Sequence, residues 1–263
     1  MSEMKYKAVP EKTLHIDLPG TKGLRIKAIL RGKLDKPVVV MMHGRPGNGN
    51  ELLQYLGARY LYEKGFSSLR LFMYDFESNT RNLLGCTLQT HADDLDEVIK
   101  YLRVQKVPKV FTVGHSYGGM AILRSKAKTD GAVLWDPTHG SYWAENRQEK
   151  VAKEYPETMV GDINIGLAGY GYVEPKAMLD DEKTWGDTSN WAAHKGYPIK
   201  LIAAGKGSMS DLGQKYIDAA DQPKQFVVIP EAHHQFEDSD EVVQKLFNET
   251  YKWFKEIMND KLK

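Results

Sequence analysis

The sequence predicts an α/β fold: a mostly parallel sheet flanked by helices, with a cap inserted late in the chain. Three observations carry this. Short continuous apolar runs bounded by glycine or proline recur along the chain, as at Val38 to Met42, Val110 to Val113 and Ala132 to Trp135, which is how strands buried on both faces read. Segments with helical spacing lie between those runs, and such alternation builds parallel sheets with helices on both faces. The alternation stops from about Thr138 to Gly196, then resumes.

Taken in order, KTLHIDL (12–18) and LRIKAILRG (24–32) alternate apolar and polar residues across Pro19-Gly20, a hairpin signal. PVVVMMHGRPG (37–47) is an apolar run closed by glycine and proline. A helix is expected over 50–64, a strand at SLRLFMYDF (68–76), and a helix over 88–104 with Leu95, Val98, Ile99 and Leu102 on one face. KVFTVGHS gives the next strand, 117–128 the next helix, and GAVLWDP (131–137) a further strand. The interrupted segment holds the aromatic residues Tyr142, Trp143, Tyr170, Tyr172, Trp185 and Trp191, which suit either an apolar or aromatic substrate pocket or plain packing on the body, with scattered glycines, one expected helix at 174–185 and no buried-strand run. It is read as a cap over one end of the sheet, which divides the chain into a core of 1–137 with 197–263 and a cap of 138–196. YPIKLIAAG (197–205), a helix over 211–220, QFVVIP (225–230) and a helix over 240–258 complete the pattern. The last helix carries a stripe of Val243, Leu246, Phe247, Phe254 and Ile257 that docks it on the sheet.

Thirty-six basic and 35 acidic residues leave a formal charge of +1 with no long single-sign block, which argues against nucleic acid or an anionic membrane as partner. No apolar run is long enough to span a bilayer, and MSEMKYKAVPEK lacks the apolar core of a signal peptide. Cys86 is the single cysteine, so neither an intrachain disulfide nor a multi-cysteine metal site can form. A cytoplasmic location and no metal are expected.

Chemistry concentrates at GHSYGG (114–119). Gly114-His-Ser-Tyr-Gly118 fits the pattern G-x-S-x-G with a strand before it and a helix after it. Such a turn is sharp enough to strain the serine backbone, and side chains two residues to either side would collide with neighbouring chain. A serine hydroxyl is a weak nucleophile that needs a base, and the base needs orienting. The base is expected late in the chain, after the last strand, where FVVIPEAHHQF offers His233 and His234. His234, which precedes Gln235-Phe236, is preferred. Attack on a carbonyl builds charge on oxygen, which backbone N–H groups stabilise. Tyr117, at the start of a helix, supplies one such donor and Arg45, in HGRPG, the other. The Arg45 side chain is expected to pair with a surface carboxylate rather than hold an acidic substrate group, and His43 and His115 are read as hydrogen-bonding residues of the frame.

HGRPG, MYDF, THADDLDEVIKYL, GHSYGG, LWDP and PEAHHQF together resemble, in order, the α/β-hydrolase superfamily, in particular the capped serine hydrolases that include monoacylglycerol lipases, feruloyl-type esterases and serine aminopeptidases. The resemblance covers nearly the whole chain except the cap. It implies an eight-stranded, mostly parallel sheet, a Ser-His-acid triad of Ser116, His234 and a carboxylate, and hydrolysis of a small-molecule ester through an acyl-enzyme without a cofactor. The sequence departs from the family at the acid, since Gly205-Lys-Gly-Ser208 puts serine where aspartate is usual. Asp136, ending the strand GAVLWDP, is the favoured acid, as in some lipases of this fold, and Asp211 is the alternative. Carboxylester cleavage is the expected reaction. Aminopeptidase-like or cofactor-free haloperoxidase-like activity, or a ligand receptor with little turnover, are the alternatives.

Overall fold

The alternation of strands and helices builds one eight-stranded sheet in a computed structural model that describes residues 9–45, 47–143, 159–160, 163–166, 172–207 and 209–262. The strands are β1 (Glu11–Asp17), β2 (Arg25–Arg31), β3 (Val38–Met42), β4 (Ser67–Phe72), β5 (Val110–His115) and β6 (Gly131–Trp135). β7 (Met159–Val160), β8 (Ile163–Gly166) and β9 (Tyr172–Pro175) follow, then β10 (Ile199–Ala204) and β11 (Lys224–Ile229). The main sheet runs β1-β2-β4-β3-β5-β6-β10-β11, antiparallel from β1 through β4 and parallel from there on. The expected hairpin across Pro19-Gly20 is the β1–β2 pair.

Strand periodicity sets the two cores. Along β3, Val38, Val40 and Met42 face one side with α2 (Leu88–Val104) and α3 (Tyr117–Arg124). Val39 and Met41 face the other side with α1 (Leu52–Glu63) and α7 (Asp240–Met258). Successive side chains on a strand point to opposite faces, so a five-residue apolar run is what a strand covered on both sides requires. The other helices are the four-residue α4 (Gly140–Trp143), α5 (Lys176–Glu182) and α6 (Ser210–Ala219). On α7 the buried face is Val242, Leu246, Phe247, Thr250, Trp253 and Phe254, and the Trp135 indole N–H donates to Thr250 Oγ1 at 2.9 Å, which fixes that helix on β6.

Two elements stop earlier than their local pattern predicts. The helix expected over 117–128 ends at Arg124, because Asp96 of α2 draws the chain off axis: its Oδ1 accepts from Lys126 N at 3.0 Å and Ala127 N at 2.9 Å, and Ser125 Oγ donates to it. The strand expected over 68–76 ends at Phe72, where the Met73 N–H is given to His43 Nε2 at 3.2 Å. Within 138–196 the expected helix is the shorter α5, and β7, β8 and β9 form a separate three-stranded antiparallel sheet, an element the sequence pattern does not anticipate. Tyr170 of that segment lies outside the described residues, as does Ser208.

The sheet order reverses between β3 and β5, since the chain leaves β3 for β4 on one side and returns to β5 on the other. At such a reversal the loops at the carboxyl ends of the two central strands diverge and leave a crevice. The loop Met42-to-Arg45 and the turn at Ser116 flank it.

Candidate active site

Ser116 sits between β5 and α3 with φ 52° and ψ −117°, a backbone conformation that an L residue keeps only when its surroundings enforce it. What enforces it is close packing. A Cβ on Gly114 would lie 2.5 Å from Gly118 O, and one on Gly118 would lie 2.5 Å from Met42 O, so neither position tolerates a side chain. Ser116 N donates to Trp135 O at 3.0 Å, which keys the turn to β6.

His234 follows β11, and its ring lies between the other two groups. Ser116 Oγ is 2.9 Å from His234 Nε2, and His234 Nδ1 is 2.6 Å from Asp136 Oδ2. Asp136 is wholly buried at the end of β6, has φ 41°, and its other oxygen accepts from Ala204 N at 3.0 Å. A carboxylate accepts, so Nδ1 carries the histidine proton, Nε2 is left as acceptor, and the Ser116 hydroxyl donates to it. The three groups form one aligned chain of hydrogen bonds, the arrangement in which a serine can pass its proton to an oriented base. Asp211 stands elsewhere: exposed, in the first turn of α6. His233 is also turned away, its Nδ1 paired with Asp238.

The frame around this chain is held by neutral, buried histidines. His43 Nδ1 donates to Gly44 O at 2.7 Å while its Nε2 accepts from Met73 N, and burial pushes it down to about 4. Because carbonyl and N–H of a trans peptide point opposite ways, anchoring the Gly44 carbonyl aims the Arg45 N–H away from His43. That loop runs against the serine turn, for a Cβ on Gly44 would lie 3.2 Å from Ser116 Cβ. His115 Nε2 donates to the His234 carbonyl at 2.9 Å, and burial, with His234 adding to it, lowers His115 to about 3. His91, lowered well below its usual value by burial first of all, packs between the rings of Tyr74 and Tyr117.

The Arg45 side chain pairs with a carboxylate, as expected, but the partner is not on the surface. It is Glu182 at the end of α5, and the two side chains are only 4% and 9% exposed. The guanidinium also lies 5.2 Å over the Tyr117 ring. Asp181, next to Glu182, accepts from Leu88 N at 2.8 Å, at the first turn of α2. Two successive acidic residues thus tie α5 to the loop after β3 and to a helix N-terminus, where negative charge is favoured. Trp185 packs on Tyr117 at 5.8 Å and on Trp191 at 6.5 Å. Tyr142, Trp143 and Tyr172 are described in backbone only.

Thr138 is a neighbour that sequence reasoning does not single out. Its hydroxyl lies 3.1 Å from Ser116 Oγ, and its N–H donates to Ser116 O at 3.2 Å. Only its place two residues after Asp136 points to it. Among the described residues, no three His, Cys, Asp or Glu side chains gather as they would around a metal ion, and no helix is long and apolar enough to cross a membrane.

Residues 33–130 match the family model of the PGAP1-like alpha/beta domain. No curated protein sequence matches the chain significantly. Among solved structures, Est1E from Butyrivibrio proteoclasticus with ferulic acid bound is similar over 94% of this chain and 99% of its own, at 16% identity and a TM-score of 0.71. The alpha/beta hydrolase GrgF from Penicillium sp. sh18 is similar over 95% and 100%, at 12% identity and a TM-score of 0.77. Mouse alpha/beta hydrolase domain-containing protein 10 is similar over 94% and 99%, at 13% identity and a TM-score of 0.71. With its sheet order, its serine turn after β5 and these likenesses along nearly its whole length, the chain has the α/β-hydrolase fold.

Proposed function

We propose that this protein is a serine hydrolase, a carboxylesterase that cleaves small to medium acyl esters through an acyl-enzyme. One observation carries the reading: the continuous path from Ser116 Oγ through both nitrogens of His234 to Asp136, at 2.9 and 2.6 Å. Ser116 attacks the ester carbonyl as His234 Nε2 takes its proton, and Asp136 steadies the imidazolium that forms. The carbonyl oxygen, now negative, is held by the N–H groups of Tyr117 and Arg45. His234 then protonates the departing alcohol, and water repeats the sequence on the acyl-enzyme.

Residues 138–196 act as a cap over this centre. The packing of Trp185 on Tyr117, next after the nucleophile, favours an apolar or aromatic substrate group beside it. The Arg45 charge is met by Glu182, which speaks against an acidic substrate group as its purpose. With one cysteine and no disulfide to keep, a cytoplasmic protein fits the composition.

Release of nitrophenol from p-nitrophenyl acetate tests the proposal. Turnover by the wild type and its loss by at least about a thousandfold in Ser116→Ala, with the melting transition kept, is the expected result. Equal rates in the two proteins would remove Ser116 from the chemistry.

A further inference from the structure

We infer that Thr138 is a positioning residue for the nucleophile, its hydroxyl donating to Ser116 Oγ and holding that oxygen toward His234. The inference rests on the proposed role of Ser116, and the direction of the bond follows from counting protons. His234 Nδ1 keeps its proton and donates it in a hydrogen bond to Asp136, so His234 Nε2 must accept, and it accepts the hydrogen bond that the one proton of Ser116 Oγ can make. The contact of 3.1 Å between Ser116 Oγ and Thr138 Oγ1 then has a single available donor, the Thr138 hydroxyl. Ser116 Oγ is held from two sides, giving to the histidine and receiving from the threonine.

Thr138 is itself held firmly enough for this. It is buried, its N–H donates to Ser116 O, and its carbonyl accepts from the Tyr216 hydroxyl at 3.0 Å. Tyr216 has spent its proton there, so in its 2.6 Å contact with Thr188 the threonine donates; Thr188 Oγ1 in turn accepts from Gly140 N at 2.9 Å. Every hydroxyl in the series has one donor role and a partner for it. A branched Cβ also narrows the side-chain rotamers of Thr138, as a residue that must hold another in place requires. A serine hydroxyl without this bond turns among three staggered wells, of which the His-facing one is productive. The turn that delivers Asp136 to His234 therefore delivers a second group, two residues on, to Ser116.

The test compares Thr138→Val, Thr138→Ala and Thr138→Ser with wild type and Ser116→Ala on p-nitrophenyl acetate. Val keeps the shape and removes the hydroxyl, and Ala does so without a second branch, so a folding defect in one does not end the comparison. Loss of the hydroxyl should lower kcat about three- to tenfold with KM unchanged within error, the size of one neutral hydrogen bond that orients the serine hydroxyl. Thr138→Ser should recover most of the loss, and inactivation by a fluorophosphonate should slow in the same ratio as kcat. Wild-type kcat in Val and Ala while Ser116→Ala is inactive would overturn the positioning role and leave the esterase reading standing. So would a Thr138→Ser as slow as the others. Undiminished turnover in Ser116→Ala would instead remove the reading on which the role rests.

Discussion

Asp136 Oδ2 lies 2.6 Å from His234 Nδ1 across 98 positions of sequence, while Asp211 stands exposed at the start of α6. Asp136→Asn should lower kcat on p-nitrophenyl acetate by about 10³- to 10⁴-fold, because an amide can give its N–H to the histidine and turn it to the wrong tautomer. Asp211→Asn should leave kcat within about twofold and lower the melting temperature slightly, since a carboxylate in the first turn favours a helix modestly. Rates of the two variants side by side decide it, and the reverse order would transfer the role to Asp211.

The collision at Gly118 predicts a folding defect. Gly118→Ala puts a methyl group 2.5 Å from the Met42 carbonyl, an atom of a central strand with no freedom to retreat. A loss of about 3 kcal/mol or more in urea unfolding is expected. Gly65→Ala, where φ is 91° but nothing lies within 4 Å of the added group, is the companion measurement that separates backbone strain from collision.

The pair Arg45–Glu182 predicts strong coupling between the segment that holds α5 and the loop after β3. Glu182→Gln alone should destabilise by about 3–5 kcal/mol, because breaking one side of a buried ion pair leaves the other charge poorly solvated. Arg45→Met with Glu182→Leu should cost less than the sum of Arg45→Met and Glu182→Leu measured singly. Chemical denaturation of the wild type and these variants reads the cycle.

Buried histidines predict acid sensitivity of the fold. His43, about 4, and His115, about 3, are depressed below their unfolded values, as is His91, so the unfolded chain binds protons that the folded chain refuses. Their contribution to stability is complete above the unfolded value of about 6.5 and is lost as pH falls below it. Glu51 acts oppositely. Burial, with Glu237 adding to it, raises it to about 7, so it favours the fold below about 4.5 and gives that up as pH rises through 7. Near pH 5.5 the three histidines outweigh Glu51, and these four groups together take up about two protons on unfolding. Urea midpoints should fall steadily from pH 6.5 to 4.5. A flat profile would mean that these rings are not held neutral.

The central strands are legible because burial on both faces leaves no choice but continuous apolar sequence, as in Val38–Met42. The ends of β4 and α3 are not, because what stops them comes from far along the chain: His43 claims Met73 N, and Asp96 claims Lys126 and Ala127. The site divides the same way. Ser116 is marked by a local motif and His234 by its place after the last strand, whereas the carboxylate beside the histidine has no local mark, since β6 and β10 are neighbours and the strand order alone does not choose between the loops that follow them. Thr138 is an ordinary threonine until folding brings it against Ser116, 22 residues away, and Glu182 is joined to Arg45 across 137.

Ser116 and Asp136 stand at the ends of adjacent strands joined by the bond from Ser116 N to Trp135 O. Their spacing is therefore set by sheet register, like two marks on one ruler. His234 arrives on a separate arm after β11, steadied by the His115 ring beneath it. In mechanical terms the device is a fixed gauge with one separate pointer, and the precision of the whole is the precision with which that pointer is held against it.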